Sequence, residues 1–269
     1  MHNAAFEALG MDWRYEFLPI EPDQFEPFVR ALPGRGFVGA NVTIPHKLRA
    51  LELADSATEV ARAVGAANTL TFASGRIEAH NTDVEGFLAA LREWVPEAPA
   101  DMEANVLGAG GAARAVVYAL LQAGAARIRV WNRHGDRARQ LVESFSDFAP
   151  KSSLEAVKSG FPPPAELLVN ATSVGMPEGP QAAQPALKEQ SVKELPVSAD
   201  DWGDRQIVVD LVYRQESTPL VRLARARGVS CVDGFDVLVH QGAASFRLWT
   251  GRKAPLGAMR SGAKHRETT

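Results

Sequence analysis

The stretch in which residues 104–107 run into Gly108-Ala109-Gly110-Gly111-Ala112-Ala113 constrains the fold of this chain more than any other. Residues 104–107 read as a strand, and residues 114–123 as a helix ended by Gly124. A strand that ends in G-x-G-x-x-A and opens a helix is the dinucleotide fingerprint in its working context. Gly108 would permit the tight turn, Gly110 the approach of backbone to a pyrophosphate, and Ala113 close helix–strand packing. Unpaired N–H groups and the helix dipole would then hold phosphates. Short apolar runs at 128–131, 167–169 and 207–211 suit strands covered on both faces. Thr218-Pro219 reads as an N-cap followed by proline at the first helical position, and Gly228 closes that helix.

The end of the strand at 128–131 discriminates between cofactors. An NAD site would carry an acidic side chain there for the ribose hydroxyls. This sequence has Asn132-Arg133, with Arg137 one helical turn on. Two guanidinium groups suit a 2′-phosphate, so NADP is expected rather than two merely solvated arginines.

Upstream, strands are expected at 15–18 and 37–42, with a helix near 23–32 between them. Ser56 and Glu59 form an S-x-x-E capping box for a helix that stops at Gly65. Residues 67–72 and 76–80 read as a hairpin around Ala73-Ser74-Gly75, and Thr82 with Glu85 as a second box for a helix running to about Trp94. Residues 96–100 are the best linker candidate, 235–249 a last helix returning to the first domain, and 161–164 and 177–201 loops. The polar, basic tail after Pro255 reads as a frayed terminus.

At 269 residues the chain suits one large domain or two modest ones, and a net charge of −3 gives no electrostatic case for nucleic acid or anionic lipid. Cys231 is the single cysteine, read as a buried strand residue, so no internal disulfide forms. No signal peptide or bilayer-spanning stretch is read, and a cytoplasmic setting is expected. The fold class expected is α/β with two domains. Residues 1–100 would form an α/β substrate and catalytic domain completed by a C-terminal segment, 236–269, and residues 101–235 a Rossmann-type doubly wound NADP domain.

Individually, Lys47 and Asp83 have dull readings, a solvated lysine and a carboxylate in the first turn of a helix. Together with the rest of the chain they do not. Asn41-Val42-Thr43-Ile44-Pro45-His46-Lys47, Gly65-Ala66-Ala67-Asn68-Thr69 and Asn81-Thr82-Asp83 precede the glycine turn. Asn132-Arg133, Asn170-Ala171-Thr172-Ser173-Val174-Gly175-Met176, and Asp233-Gly234 with Gln241-Gly242-Ala243 follow it. In this order they resemble the shikimate dehydrogenase family from end to end.

That resemblance implies reversible, NADPH-dependent reduction of 3-dehydroshikimate to shikimate, a step toward chorismate and the aromatic amino acids, with substrate in the cleft between domains. It implies Lys47 and Asp83 as the catalytic pair. Whether Lys47 is general base or electrostatic anchor stays open. It further implies that Thr43, Asn68, Tyr213 and Gln241 contact the ring, that Gly108, Ala109, Gly110, Gly111 and Ala112 hold the pyrophosphate, and that Asn132 and Arg133 hold the adenosine phosphate. Thr172, Met176 and Gly234 would line the nicotinamide side. No metal is expected, and the protein would act as a monomer or homodimer.

Two departures stand out. Family members begin with a strand and a Ser-x-Ser loop for the substrate carboxylate, whereas this sequence opens at Met1-His2-Asn3, as if in the middle of a helix. Either Met1 is an internal methionine of a longer protein, or substrate affinity suffers, each lost charge-assisted hydrogen bond being worth about 1.5–3 kcal/mol. Second, His134 stands where threonine is frequent. The alternatives are a quinate/shikimate dehydrogenase using NAD, and a non-catalytic NADP-binding protein.

Overall fold

The computed structural model describes residues 1–149, 153–157, 160, 162–176, 192, 194–214 and 216–264. Phe161 and most of the expected loop at 177–201 lie outside them. The chain divides into two units, Met1–Phe87 with Leu238–Thr269, and Leu88–Val237.

In the first unit, β3 (Thr69–Ala73) and β4 (Arg76–His80) form the expected hairpin, turning through Ser74 and Gly75 with Ala73 opposite Arg76. β1 (Gly39–Asn41) pairs antiparallel with β3, and β2 (Ser56–Ala57) pairs parallel with β4, giving the order β1-β3-β4-β2. Helices α1 (His2–Ala8), α2 (Phe25–Ala31), α3 (Lys47–Glu52) and α4 (Glu59–Val64) accompany this sheet. Phe25, Val29, Val42, Leu53, Leu70 and Ile77 form its core. Each such side chain removed from water contributes about 1.5–3 kcal/mol. Two longer helices, α5 (Asp83–Trp94) and α9 (Gly234–Thr250), carry the boundary between the units along their length. The second half of α9 lies on the sheet of the first unit, where Trp249 Nε1 donates to the Leu70 carbonyl at 3.0 Å.

Four expectations are corrected here. Residues 15–18 are not a strand: the Tyr15 N–H donates to Asn3 Oδ1 (2.6 Å) and Asn3 Nδ2 to the Tyr15 carbonyl (3.1 Å), so a side chain takes the bonds a neighbouring strand would have made. The cap of α4 is Thr58, whose hydroxyl accepts the Ala61 N–H at 3.2 Å, while Ser56 belongs to β2. Thr82 hydrogen-bonds Asn68 and Thr69, and Asn81 Oδ1 takes the Val84 N–H instead (3.4 Å). The tail is not frayed at once. It forms α10 (Leu256–Lys264), in which Leu256, Met259 and Ala263 share a face, Met259 is fully buried, and Gly262 lies against Ala4 of α1.

His2 of α1 is enclosed by Tyr15, 4.4 Å away and stacked, and by Trp249. Burial pushes its pKa down to about 3, so the folded protein holds it neutral. The unfolded chain takes up that proton near the ordinary value of about 6.5. Between these values the unfolded state binds more protons, so stability present at neutral pH is lost as pH falls. The melting temperature should drop between pH 7 and pH 5, and His2→Phe should flatten that drop. An equally steep fall in the variant, followed by circular dichroism, would refute the assignment.

The second unit is a six-stranded parallel sheet in the order β10-β9-β8-β5-β6-β7. Its strands are β5 (Glu103–Leu107), β6 (Arg127–Trp131), β7 (Leu154–Ala156), β8 (Leu167–Asn170), β9 (Ile207–Asp210) and β10 (Ser230–Asp233). The apolar runs are buried end to end in β8 and β9, as expected of strands covered on both faces. Helix α6 (Gly111–Gln122) joins β5 to β6, α7 (Gly135–Glu143) joins β6 to β7, and α8 (Pro219–Ala226) leads to β10. α8 begins as expected: Thr218 accepts the Val221 N–H at 3.2 Å and Pro219 stands first in the helix. Cys231 lies in β10 as expected but is only half-buried. Residues 96–100, expected as a linker, are successive turns with Ala98 and Pro99 buried. Strand order reverses between β5 and β8, and a crevice outside the carboxyl ends of strands at such a switch is where open α/β sheets bind ligands.

Candidate active site

In the first unit, two helix starts, a strand start and the middle of α9 supply the polar cluster. Lys47 opens α3, Asp83 opens α5, and Asn68 immediately precedes β3. Lys47 Nζ donates to Asp83 Oδ2 at 2.7 Å, with the two side chains only 13% and 18% exposed. Partly desolvated charges need partners, and this pair supplies one for each. The dipole of α5 adds to the hold on the carboxylate. Asn68 Nδ2 reaches three acceptors: Asp83 Oδ1 (2.7 Å), Thr82 Oγ1 (3.0 Å) and Gln241 Oε1 (3.2 Å). Its Oδ1 in turn accepts the Thr82 N–H at 2.7 Å and the Thr69 hydroxyl at 3.2 Å, which fixes the amide's orientation.

Gln241 comes from α9 and reaches this group because α5 has glycine at 86. A Cβ there would lie 2.6 Å from both the backbone nitrogen and Cβ of Gln241. Gln241 Nε2 is held by the Leu238 carbonyl at 3.0 Å. Lys47, Asp83, Asn68 and Gln241 therefore converge in space, although Gln241 stands 173 residues from Asn68 and further still from Lys47. Thr43 is exposed beyond β1, its carbonyl taking the His46 N–H. Tyr213 belongs to the second unit and is 41% exposed. Sequence reasoning gave Thr82 no site role beyond a helix cap and a place in the Asn81-Thr82-Asp83 string, and passed over Gly86. The glycine did leave a signal, since glycine inside a helix costs about 1 kcal/mol against alanine and so points to a packing reason.

In the second unit, Gly108 adopts φ +115°, a region closed to other residues without strain, and its N–H donates to the Trp131 carbonyl at 2.7 Å. A Cβ at 108 would meet the Ala171 carbonyl oxygen at 2.7 Å. Gly110 is the N-cap of α6, exposed, with open space where a side chain would stand. Ala109, Gly111 and Ala112 are half-buried around it, and α6 begins at Gly111, so its first N–H groups face this turn. Asn132 Oδ1 accepts the His134 N–H (2.9 Å) and closes the turn into α7. Arg133 and Arg137 are exposed. Among the described residues no carboxylate pairs with either, because Asp136 pairs with Arg139. Thr172 donates to Asn170 Oδ1 at 2.7 Å, the Met176 N–H to the Ser173 carbonyl at 2.9 Å, and Gly234 opens α9. Among the described residues no cluster of three or more His, Cys, Asp or Glu could hold a metal ion, and no helix is long and apolar enough to cross a membrane.

A Rossmann-type sheet with this glycine turn, joined in one chain to an α/β unit bearing a half-sheltered lysine–aspartate pair, defines a pyridine-nucleotide oxidoreductase. Family models agree along the chain: shikimate dehydrogenase substrate binding domain at residues 1–70, shikimate/quinate 5-dehydrogenase at 94–212 and shikimate 5′-dehydrogenase C-terminal domain at 234–261. The chain belongs to the shikimate dehydrogenase family. It is 42% identical over 268 residues to the NADP(+) shikimate dehydrogenase of Methanopyrus kandleri, covering 97% of this chain and 88% of that one. The solved structure of shikimate 5-dehydrogenase from Thermus thermophilus, in complex with NADP(H) and shikimate, superposes with a TM-score of 0.81 at 36% identity, covering 98% and 92%. Quinate dehydrogenase from Corynebacterium glutamicum, in complex with NAD, gives 0.80 at 29% identity, covering 97% and 91%.

Proposed function

We propose that this protein catalyses the reversible, NADPH-dependent reduction of 3-dehydroshikimate to shikimate, on the way to chorismate and the aromatic amino acids. The observation that carries this reading is the bonded cluster Lys47–Asp83–Asn68–Gln241. A polyhydroxylated ring needs several amide, ammonium and carboxylate partners at once, and a site built to pair them rejects analogues that lack them.

The glycine turn fits a pyrophosphate, with Gly110 open to solvent and α6 pointing its first N–H groups there. Arg133 and Arg137, unpaired by carboxylates among the described residues, fit a 2′-phosphate, with Asn132 shaping the turn beside them. Thr172, Met176 and Gly234 are read as the nicotinamide side. When bound, NADPH supplies a hydride to the ring's carbonyl carbon. Lys47 presents an ammonium N–H to the oxygen that becomes alkoxide, stabilising charge only as it develops. Asp83 holds that ammonium in place from one oxygen and is itself held by Asn68 from the other. Asn68, Gln241, Thr43 and Tyr213 are read as partners for the remaining ring hydroxyls. A cytoplasmic monomer or homodimer is the proposed state.

The test is NADPH oxidation with 3-dehydroshikimate, run beside quinate and NAD(H) arms. Turnover with shikimate and NADP should exceed all other combinations. A folded protein that turns over quinate with NAD better, or nothing at all, rejects the reading. Arg133→Ala should raise the KM for NADP about tenfold or more, the loss of one charge-assisted hydrogen bond, and leave that for NAD nearly unchanged. An unaltered NADP/NAD ratio would remove Arg133 from the phosphate site.

A further inference from the structure

The strands of the second unit end in one row. Backbone register sets Leu107 opposite Asn170, Asn170 opposite Asp210, and Asp210 opposite Asp233. The residues that follow therefore leave the sheet side by side, and they pack tightly. A Cβ at Gly108 would lie 2.7 Å from the Ala171 carbonyl oxygen, and one at Gly234 would lie 2.5 Å from that of Val212 and 2.8 Å from that of Asp210.

Asp210 stands inside this row, 1% exposed. Its Oδ1 accepts from Asn170 Nδ2 (2.9 Å) and the Val212 N–H (3.1 Å), and its Oδ2 from the Thr218 hydroxyl (2.5 Å). Asn170 passes the constraint on. Its Oδ1 accepts both the N–H (3.1 Å) and the hydroxyl (2.7 Å) of Thr172, whose own oxygen accepts the Val174 N–H (3.1 Å). A single series of bonds thus runs from one buried carboxylate to the turn that carries Thr172 and Met176.

We propose that Asp210 is a positioning residue for the cofactor: it orients the Asn170 amide, and through it the 172–176 turn, while its backbone seats Gly234. This rests on reading Thr172, Met176 and Gly234 as the nicotinamide side. Keeping a carboxylate there works against solvation. Burial raises the Asp210 pKa to about 6, against the pull of its three hydrogen bonds, and the neighbouring Asp233 carboxylate pushes the same way. Arg225 lies 3.9 Å from Asp233 rather than on Asp210. Packing alone would be served by an apolar side chain, whereas orienting three donors requires acceptors on both sides of the group.

The test uses the full chain, with NADPH titrated by fluorescence and steady-state constants taken for both substrates. Asp210→Ala leaves the Asn170 amide N–H groups only the longer bond to the Val174 carbonyl (3.4 Å) and should weaken NADPH binding about tenfold or more, the net worth of a hydrogen bond to a charged group. The KM for shikimate should stay within about threefold, since among the described residues neither Asp210 nor Asn170 shares a hydrogen bond with Lys47, Asp83, Asn68 or Gln241. Asp210→Asn keeps an acceptor at Oδ1 and should restore most of the affinity. Asn170→Ala breaks the next link, and the double variant should be no worse than the poorer single one.

Normal NADPH affinity in a folded D210A, or losses that multiply in the double variant, would overturn the inference. Should D210A not fold, N170A carries the test by itself, and unchanged NADPH binding there overturns it. Wild-type protein that binds no NADPH would instead reject the proposed function.

Discussion

Replacing Lys47 with alanine is expected to lower kcat for shikimate oxidation by about a thousandfold, within the range of a positioned proton-transfer group. The argument is geometric. The ammonium is fastened to Asp83 at 2.7 Å and only 13% exposed, so water cannot readily stand in for it. Its removal also strands a carboxylate that Asn68 alone would still hold. Asp83→Asn should cost nearly as much, because an amide cannot balance the ammonium. In both variants NADP affinity should remain within about twofold, since the dinucleotide turn shares no bond with the pair. Loss of NADP binding in parallel with turnover would mean that the effect is on folding rather than chemistry. Retention of more than about a tenth of the activity would remove Lys47 from the reaction.

Gly108→Ala should be nearly as damaging, and by a different route. The residue holds φ +115°, and an added Cβ would press to 2.7 Å on the Ala171 carbonyl, a backbone atom that cannot swing aside. Strain of this kind is worth about 1–3 kcal/mol before the clash is relieved. Relief means separating the ends of β5 and β8, so NADPH affinity should fall about a hundredfold with a lower melting temperature. Gly110→Ala is the informative contrast. Nothing stands within 4 Å of that position, so the fold should keep its stability while a methyl group obstructs the pyrophosphate. Calorimetric melts and NADPH titrations of the two variants separate strain from obstruction. Equal stability losses in both would contradict this.

Much of the second unit was legible because its signals are local. Buried strands read as apolar runs, the glycine turn has a mechanism, and Thr218-Pro219 starts a helix as it should. The hairpin at 69–80 was equally plain from its turn residues. The failures were tertiary in origin. Tyr15 has strand-like neighbours, yet its backbone bonds go to the side chain of Asn3. The cap of α4 moved two residues because Ser56 was already engaged in β2. The three-residue β7 and the two-residue β2 exist only by virtue of the strands beside them, and α10 only because α1 offers it a face.

For the site, composition and spacing could nominate Lys47 and Asp83 singly but could not join them. They are 36 residues apart, and each looks ordinary where it stands. Pairing them needed either a family resemblance or coordinates. Asp210 gave no signal at all: it ends an apolar run, and its importance lies in partners on β8 and ahead of α8.

The most direct measurement is a structure of the protein with shikimate and NADP bound. One ring hydroxyl should lie within about 3.2 Å of both Lys47 Nζ and an Asp83 oxygen, with Asn68 and Gln241 on its neighbours. A carbocycle bound by an enzyme that turns over, with none of its hydroxyls reaching Lys47 or Asp83, would contradict the assignment of these residues to the chemistry.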